Sequence, residues 1–272
     1  MTASANVAPR PTVVALRRFF RAPKGILIVI LAIIAVAAAF GPGFASVVPV
    51  IGGAVLGAML VDAPILRWRE GEWVFPDGAL LTGLIVAMVL SPLEPWYVAA
   101  ITAAIGVLSK YLVRVGKANV FNPAALALVA TFYWFHTGQS WWGALPEITP
   151  FALVLLFAAG VFITDRVNKV PLVLVFLLTY YLLVTITAFI GDPARVAALY
   201  RAPDLHAALF FAFFMVTDPP TSPPKARDQV VNGVITAVAS WGVFELIGAA
   251  YFLLAGLLVA NAFEALRRRR KR

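Results

Sequence analysis

Two short stretches hold most of the side chains in this sequence that could do chemistry on a ligand. In FFMVTDPPTSPPKARD, Phe213 to Asp228, an apolar run ends on Thr217, Asp218, Thr221 and Ser222, set among four prolines. Proline has no backbone N–H and forces the chain out of helical geometry just where a last turn leaves carbonyls unpaired. Those carbonyls and the side-chain oxygens form an acceptor set that could coordinate a cation or hold a polar ligand. The alternative is an ordinary helix stop in which Asp218 caps the next turn. In FNPAALALV, Phe121 to Val129, Asn122 is a good N-cap and Pro123 falls in the first turn, where its missing donor costs nothing. The amide end of such a helix attracts a phosphate or an electron-rich ring carbonyl, and pure capping is the competing reading.

Other chemistry is thin. There is no cysteine, which excludes disulfides, iron–sulfur ligation and thiolate metal sites within the chain, so any redox chemistry needs a borrowed cofactor. His136 and His206 both fall at outer ends of apolar segments, too few to hold two haems, and His206 reads as a capping or interfacial residue. Acids lie in loops or near segment ends, Glu245 and Glu264 among them, which argues against a carboxylate proton relay in this chain. No catalytic residue and no metal site is nominated.

The elements that must position these residues are membrane helices. Of 272 residues, 62% are hydrophobic and 13% charged, with mean hydropathy +0.91, about half the charge of a soluble domain of this length. Ten apolar segments can be drawn, at roughly 25–40, 43–61, 78–92, 96–113, 121–136, 149–164, 170–190, 205–216, 229–246 and 248–266. The expected fold is an all-α integral membrane protein with about ten transmembrane helices. An even count puts both termini on one side, which then carries 20 of the 22 Lys and Arg, all but Arg195 and Arg201. The positive-inside rule makes that side cytoplasmic, in a bacterial-type inner membrane. The net charge of +9 is thereby topogenic and no nucleic-acid partner is expected. Residues 1–24 read as a cytoplasmic, interfacial segment, 25–266 as a single transmembrane domain, and 267–272 as a basic cytoplasmic tail in contact with anionic lipid.

Set MVLSP (88–92) over MVTDP (215–219) and the third segment falls on the eighth, the first on the sixth and the fifth on the tenth. Repeats of about 25–144 and 145–266, five segments each, would run through the membrane in opposite senses, as in many transporters. The SPLEP corner and the TDPPTSPP corner are then expected as matching broken helix ends on opposite sides, together cradling a ligand. Aromatics are plentiful: Trp is expected mostly in interfacial belts, while FFAFF at 210–214 lies deeper and abuts the proline corner, where a flat ring could stack.

DGALLTGLIVAMVLSPLEPW (77–96), VGKANVFNPAALALV (115–129) and AALFFAFFMVTDPPTSPP (207–224) together resemble the membrane subunit family shared by the D subunit of the Rnf electron-transport complex and the B subunit of the sodium-translocating NADH:quinone oxidoreductase, in order over roughly 40–265. The resemblance implies a flavin-carrying electron-transfer subunit of a larger complex, with other membrane and peripheral redox subunits as partners and sodium or proton movement as the coupled process. It further implies FMN held covalently through its phosphate by a threonine in a Ser-Gly-Ala-Thr-type motif, and riboflavin held deeper. The corresponding place here reads LPEITPFALV, with Thr149 as the candidate; Glu147 and Ile148 replace the small residues of the motif. A non-covalent flavin near Asn122, Pro123, Thr217, Asp218, Thr221 and Ser222 is the other expectation. Two different classes stay open: a small-solute channel or transporter on an inverted repeat, and a membrane anchor for a partner's redox domain. The single NPA, at 122–124, stands where aquaporins carry two copies.

Overall fold

The structure, a computed structural model, describes residues 19, 21–116, 118–147, 150–190 and 193–270. Thr149 with Ile148, the first eighteen residues and the last two of the basic tail lie outside the described residues. The chain is all-α. Its helices are α1 (Pro23–Ala38), α2 (Phe44–Glu70), α3 (Asp77–Val89), α4 (Trp96–Leu112), α5 (Pro123–Phe135), α6 (Phe151–Arg166), α7 (Val170–Ile190), a short α8 (Pro193–Ala198), α9 (Asp204–Phe210), α10 (Ala226–Ile247) and α11 (Phe252–Arg270). A two-residue hairpin pairs β1 (Arg114–Val115) with β2 (Ala118–Asn119), and α9 runs on into a π-helical turn, Phe211–Met215. Among the described residues three helices, α2, α7 and α10, are long and apolar enough to cross a membrane unaided. By contrast α3 and α5 have 13 residues each, about 20 Å of helix against about 30 Å of hydrocarbon, so irregular chain completes those passes.

The expected boundaries hold within a few residues except at two places. The second apolar run is expected to end at Val61, yet α2 continues to Glu70 and stops on Gly71, which takes the left-handed conformation at φ 79°. Asp62 is therefore a buried helical residue, and its carboxylate accepts the Tyr111 hydroxyl at 2.6 Å. At the other end of the chain, α11 runs through Arg270, drawing four arginines of the tail into the helix.

Hydrogen bonds sort the loops into two ends. At one, Lys24 meets Asp77, Lys110 reaches Gly78, Asn122 reaches Met215, Lys169 reaches Pro223 and Arg268 reaches Pro220. At the other, the Ser91 amide donates to Gly138 O, the Trp142 indole to Ala87 O, and Glu147 lies against Gly41. This is the alternation that successive crossings require. Large apolar side chains such as Phe40, Leu60, Phe189 and Leu246 face outward, the pattern of a lipid-covered surface. Of the tryptophans, Trp68, Trp73, Trp96 and Trp134 are exposed near the ends, as a belt requires, whereas Trp141 and Trp142 are buried at the turn 142–144.

Helix pairing follows small residues, because lipid offers no hydrophobic drive for two apolar helices to associate. Helix α2 packs most closely on α4 and α7 on α10, while α5 lies on α4 and α11 on α10. Gly53 and Gly57, one turn apart, make the first contact: a Cβ on them would lie 2.2 Å from Trp96 O and 2.6 Å from Ala100 O. Gly52, beside them, faces open space. Gly57→Val is therefore expected to cost roughly 1–3 kcal/mol and lower the unfolding temperature in detergent, while Gly52→Ala leaves it unchanged or raises it slightly. Equal behaviour of the two variants would refute this packing.

Candidate functional site

A cavity of about 560 Å³ opens at the charged end, between the starts of α1, α3 and α5, the ends of α4 and α6, and the chain leaving the π-turn. Leu27, Leu81, Ile85, Ile163 and Phe214 form its inner wall; Lys24, Asp77, Lys110, Asn119 and Asp218 ring its outer part. An apolar interior with a few polar groups converging at one side is the usual form of a small-molecule site, and the volume falls in the usual range.

The cavity is bounded where two interrupted helices meet. Asn122 caps α5: its Oδ1 accepts the Ala125 amide at 3.1 Å, and Pro123 occupies the first helical position. Its Nδ2 donates to Met215 O at 3.3 Å, one of the carbonyls left at the end of the π-turn, and its own amide donates to Asn261 Oδ1 at 2.8 Å. Capping accounts for the Asn122 Oδ1, and the residue bolts α5 to the broken end of α9 and to α11. The first turn of α5, with Pro123 and Ala124, still lines the cavity.

Thr217 and Asp218 line the cavity as well; Thr221 and Ser222 do not. The Thr217 hydroxyl donates to Phe213 O at 2.6 Å. Asp218 heads a tight turn: its carbonyl accepts the Thr221 and Ser222 amides and the Ser222 hydroxyl, and its Oδ2 accepts the Thr221 hydroxyl at 2.8 Å. Thr221 and Ser222 thus hold the turn that aims Asp218 at the cavity. Burial pushes the Asp218 carboxyl pKa up, against the pull of the Thr221 hydroxyl, Lys110 and Lys169.

Four carbonyls of the proline corner already have side-chain donors. Arg268 donates to Pro220 O at 2.7 Å and Ser222 O at 3.0 Å, Lys169 to Pro223 O at 2.6 Å, and Gln229 to Pro224 O at 3.3 Å. Arg268 is in turn held by Glu264, which also binds Arg267, itself paired with Asp228. The protein's own cations therefore occupy three of the carbonyls, those of Pro220, Ser222 and Pro223, that sequence reasoning offered to a bound one.

Two other expectations change. The SPLEP corner does sit at the end opposite the TDPPTSPP corner, but it forms no part of this cavity; its backbone pairs with the loop at 138–141. The segments that share the cavity with the proline corner are instead the starts of α1, α3 and α5. FFAFF is buried, with Phe211 against Phe176 and Trp141, while Phe214 alone of the five faces the cavity. His206, 1% exposed, sits with Nδ1 3.1 Å from both Ala144 O and Leu145 O, tying α9 to the turn at 142–144. His136 ends α5 in the left-handed conformation.

Sequence reasoning missed Lys24, Asp77, Gly78, Lys110 and Asn119. The Gly78 carbonyl accepts both the Lys110 amine at 2.7 Å and the Thr82 hydroxyl at 2.8 Å, which locks that amine at the rim. The signal was present: Asp77 and Gly78 open the stretch DGALLTGLIVAMVLSPLEPW, and Lys110 lies in the last turn of an otherwise apolar helix.

Fold and site define a multi-pass α-helical membrane protein with a ligand-sized cavity at its charged end. Residues 17–150, a little under half of the chain, match the model of the NQR2, RnfD, RnfE family, and over that stretch the resemblance read from the sequence is borne out. The chain is similar to proteins named as the D subunit of an ion-translocating oxidoreductase complex: it is 31% identical over 99 residues to that of Aliivibrio salmonicida (strain LFI1238), covering 35% of this chain and 28% of the relative. Against that of Psychromonas ingrahamii it is 27% identical over 132 residues, 47% of this chain and 35% of the relative. The matched stretches thus span about a third or less of the length of these curated relatives. The proline corner lies beyond the family match.

Two measurements check the corner. Removing the guanidinium in Arg268→Ala strands two carbonyls and one Glu264 contact, an expected loss of about 1–3 kcal/mol read as a lower unfolding temperature in detergent; Arg268→Lys, which keeps the charge without the fork, should recover only part. Lys169, in the turn between α6 and α7, has its pKa lowered by burial and by Arg268 from 10.5 to about 8. Between those values the unfolded lysine binds more protons than the folded one, so stability rises with pH across the window. The unfolding temperature of the natural protein should therefore climb relative to Lys169→Met from pH 8 to 10; parallel profiles would contradict it.

Proposed function

We propose that the chain is a membrane electron-transfer subunit of an ion-translocating oxidoreductase complex, holding a flavin, as riboflavin or FMN, in the cavity between Asn122 and Asp218. The observation that carries the reading is the cavity's form: an apolar interior with Phe214 on its wall, closed by the first turn of a capped helix and rimmed by two lysines and two aspartates. That lining suits a ring system with one apolar edge and one edge of carbonyls and N–H groups. The likeness to relatives named for such a complex supports the same conclusion.

A bound flavin would supply the electron transfer; the chain supplies position and dielectric. Leu81, Ile85 and Ile163 exclude water from the ring, Phe214 offers an aromatic face, and Asp218 and Lys110 present a carboxyl group and an amine at the polar edge. Covalent FMN at Thr149 would be a second, separate site, since Glu147 on one side and the start of α6 on the other lie at the opposite end of the bundle.

In this proposal the charged end faces the cytoplasm of a bacterial cell, the partners are other membrane and peripheral redox subunits, and sodium or proton movement is coupled to electron flow in the assembled complex. Two inverted five-helix repeats organise the chain; what supports them is the recurrence of the second-with-fourth and fourth-with-fifth helix pairing in each half.

Protein purified in mild detergent should be yellow, with visible absorbance that bleaches on reduction by dithionite. After acid precipitation, fluorescence released to the supernatant reports the cavity flavin, and fluorescence retained on the chain but lost in Thr149→Ala reports the covalent one. A colourless protein that also fails to take up added riboflavin or FMN would end this proposal.

A further inference from the structure

The cavity has one wall unlike the others. Its deep lining is fixed in the core: Thr82, Asn122, Thr217 and Ile163 are all buried. At the mouth, Pro219 and Pro220 reach solvent but are pinned through Arg268. Ala22, Pro23 and Lys24 also line the mouth, and Arg21, Pro23 and Lys24 are exposed on their outer side. Phe19 packs against the core at the start of this short run, and the contacts that hold the run across the opening include an ion pair, a ring contact and a surface hydrogen bond. Lys24 Nζ pairs with Asp77 Oδ1 at 2.9 Å with both side chains partly in water, 49% and 37% exposed. The Phe19 ring meets Phe75 edge-on, centroids 6.4 Å apart. Arg166 donates to Arg21 O at 3.4 Å on the surface.

Sequence prepares this run to fold back across the opening. Pro23, in the first turn of α1, fixes the angle at which the chain enters the helix. Gly25 lets the returning backbone close down: a Cβ there would lie 2.1 Å from Phe19 O. The two ends of the latch sit at helix starts, Lys24 in the first turn of α1 and Asp77 in that of α3, so release displaces the strap together with the first turn of α1.

We propose that Phe19 and residues 21–24 form a strap over the cavity mouth, latched by the Lys24–Asp77 ion pair, and that the cavity's ligand enters and leaves at the charged end by release of this strap. The inference rests on the cavity being a binding site and not on which ligand it takes. The strap closes over a bound molecule, excludes water from it, and opens more readily in high salt, which screens an exposed pair.

The absence of cysteine makes the test clean. Leu81→Cys places one thiol inside the cavity, Leu27→Cys places one on a second wall, and Leu246→Cys, 87% exposed at the other end, serves as control. The rate of modification by a small charged maleimide is measured on purified protein in detergent. Adding Lys24→Glu or Asp77→Lys should raise the rate at the two cavity positions up to about fivefold, the reach of one exposed ion pair, and leave the control unchanged. Gly25→Val should raise it by displacing the strap, and 1 M salt should do the same in the natural background. The double reversal Lys24→Glu with Asp77→Lys should bring the rate back. Equal rates in every background, or a faster rate that the double reversal fails to slow, would overturn the latch. No flavin takes part in this readout, so a colourless protein that takes up no added flavin would end the flavin proposal and leave this one standing.

Discussion

Carbonyl oxygens at an interrupted helix end need donors, and the arrangement of this protein follows from where it finds them. Four prolines between Pro219 and Pro224 remove backbone N–H groups from a corner that leaves helical geometry at the rim of the bundle. Arg268 from the last helix, Lys169 from the turn between α6 and α7, and Gln229 from the first turns of α10 supply what the corner cannot supply itself. Each donor belongs to a different segment, so satisfying the corner draws those segments together. With the corner fixed, the turn headed by Asp218 is fixed, and so is one side of the cavity.

The same accounting explains the opposite side. Met215 O, released where the π-turn ends, is taken by the Asn122 side chain, and Asn122 also starts α5. One residue thereby terminates one helix and initiates another, and the gap between the two short helices is the cavity. A continuous helix in either place would fill it.

Much of this was legible in the sequence. Apolar runs bounded by polar or charged residues marked ten segments, because hydrocarbon leaves a backbone few alternatives to helix. Asn122 and Pro123 were readable as a helix start because capping is local chemistry, complete within three residues. The extension of α2 past Asp62 was not, since what admits a carboxylate there is the Tyr111 hydroxyl, 49 residues away. Nor were the partners of the proline corner: Arg268 reads as one of a run of basic residues until the fold brings it to Pro220, and Lys169 reads as loop charge until it is buried. Lys24, Asp77 and Lys110 escaped notice for the opposite reason, as isolated charges at helix ends that topology alone gathers around one opening. The SPLEP corner shows the limit of reading by analogy between halves: its position at the far end was readable from span parity, its exclusion from the cavity was not.

The central claim is that the space between Asn122 and Asp218 is where this chain binds a flavin. The direct measurement is a titration of riboflavin into purified, flavin-stripped protein, followed by quenching of flavin fluorescence, in the natural sequence and in Leu81→Trp, which fills the cavity from its wall. Saturable quenching that Leu81→Trp abolishes and Thr149→Ala leaves intact is the predicted result. Quenching of equal strength in the natural protein and in Leu81→Trp would contradict the claim.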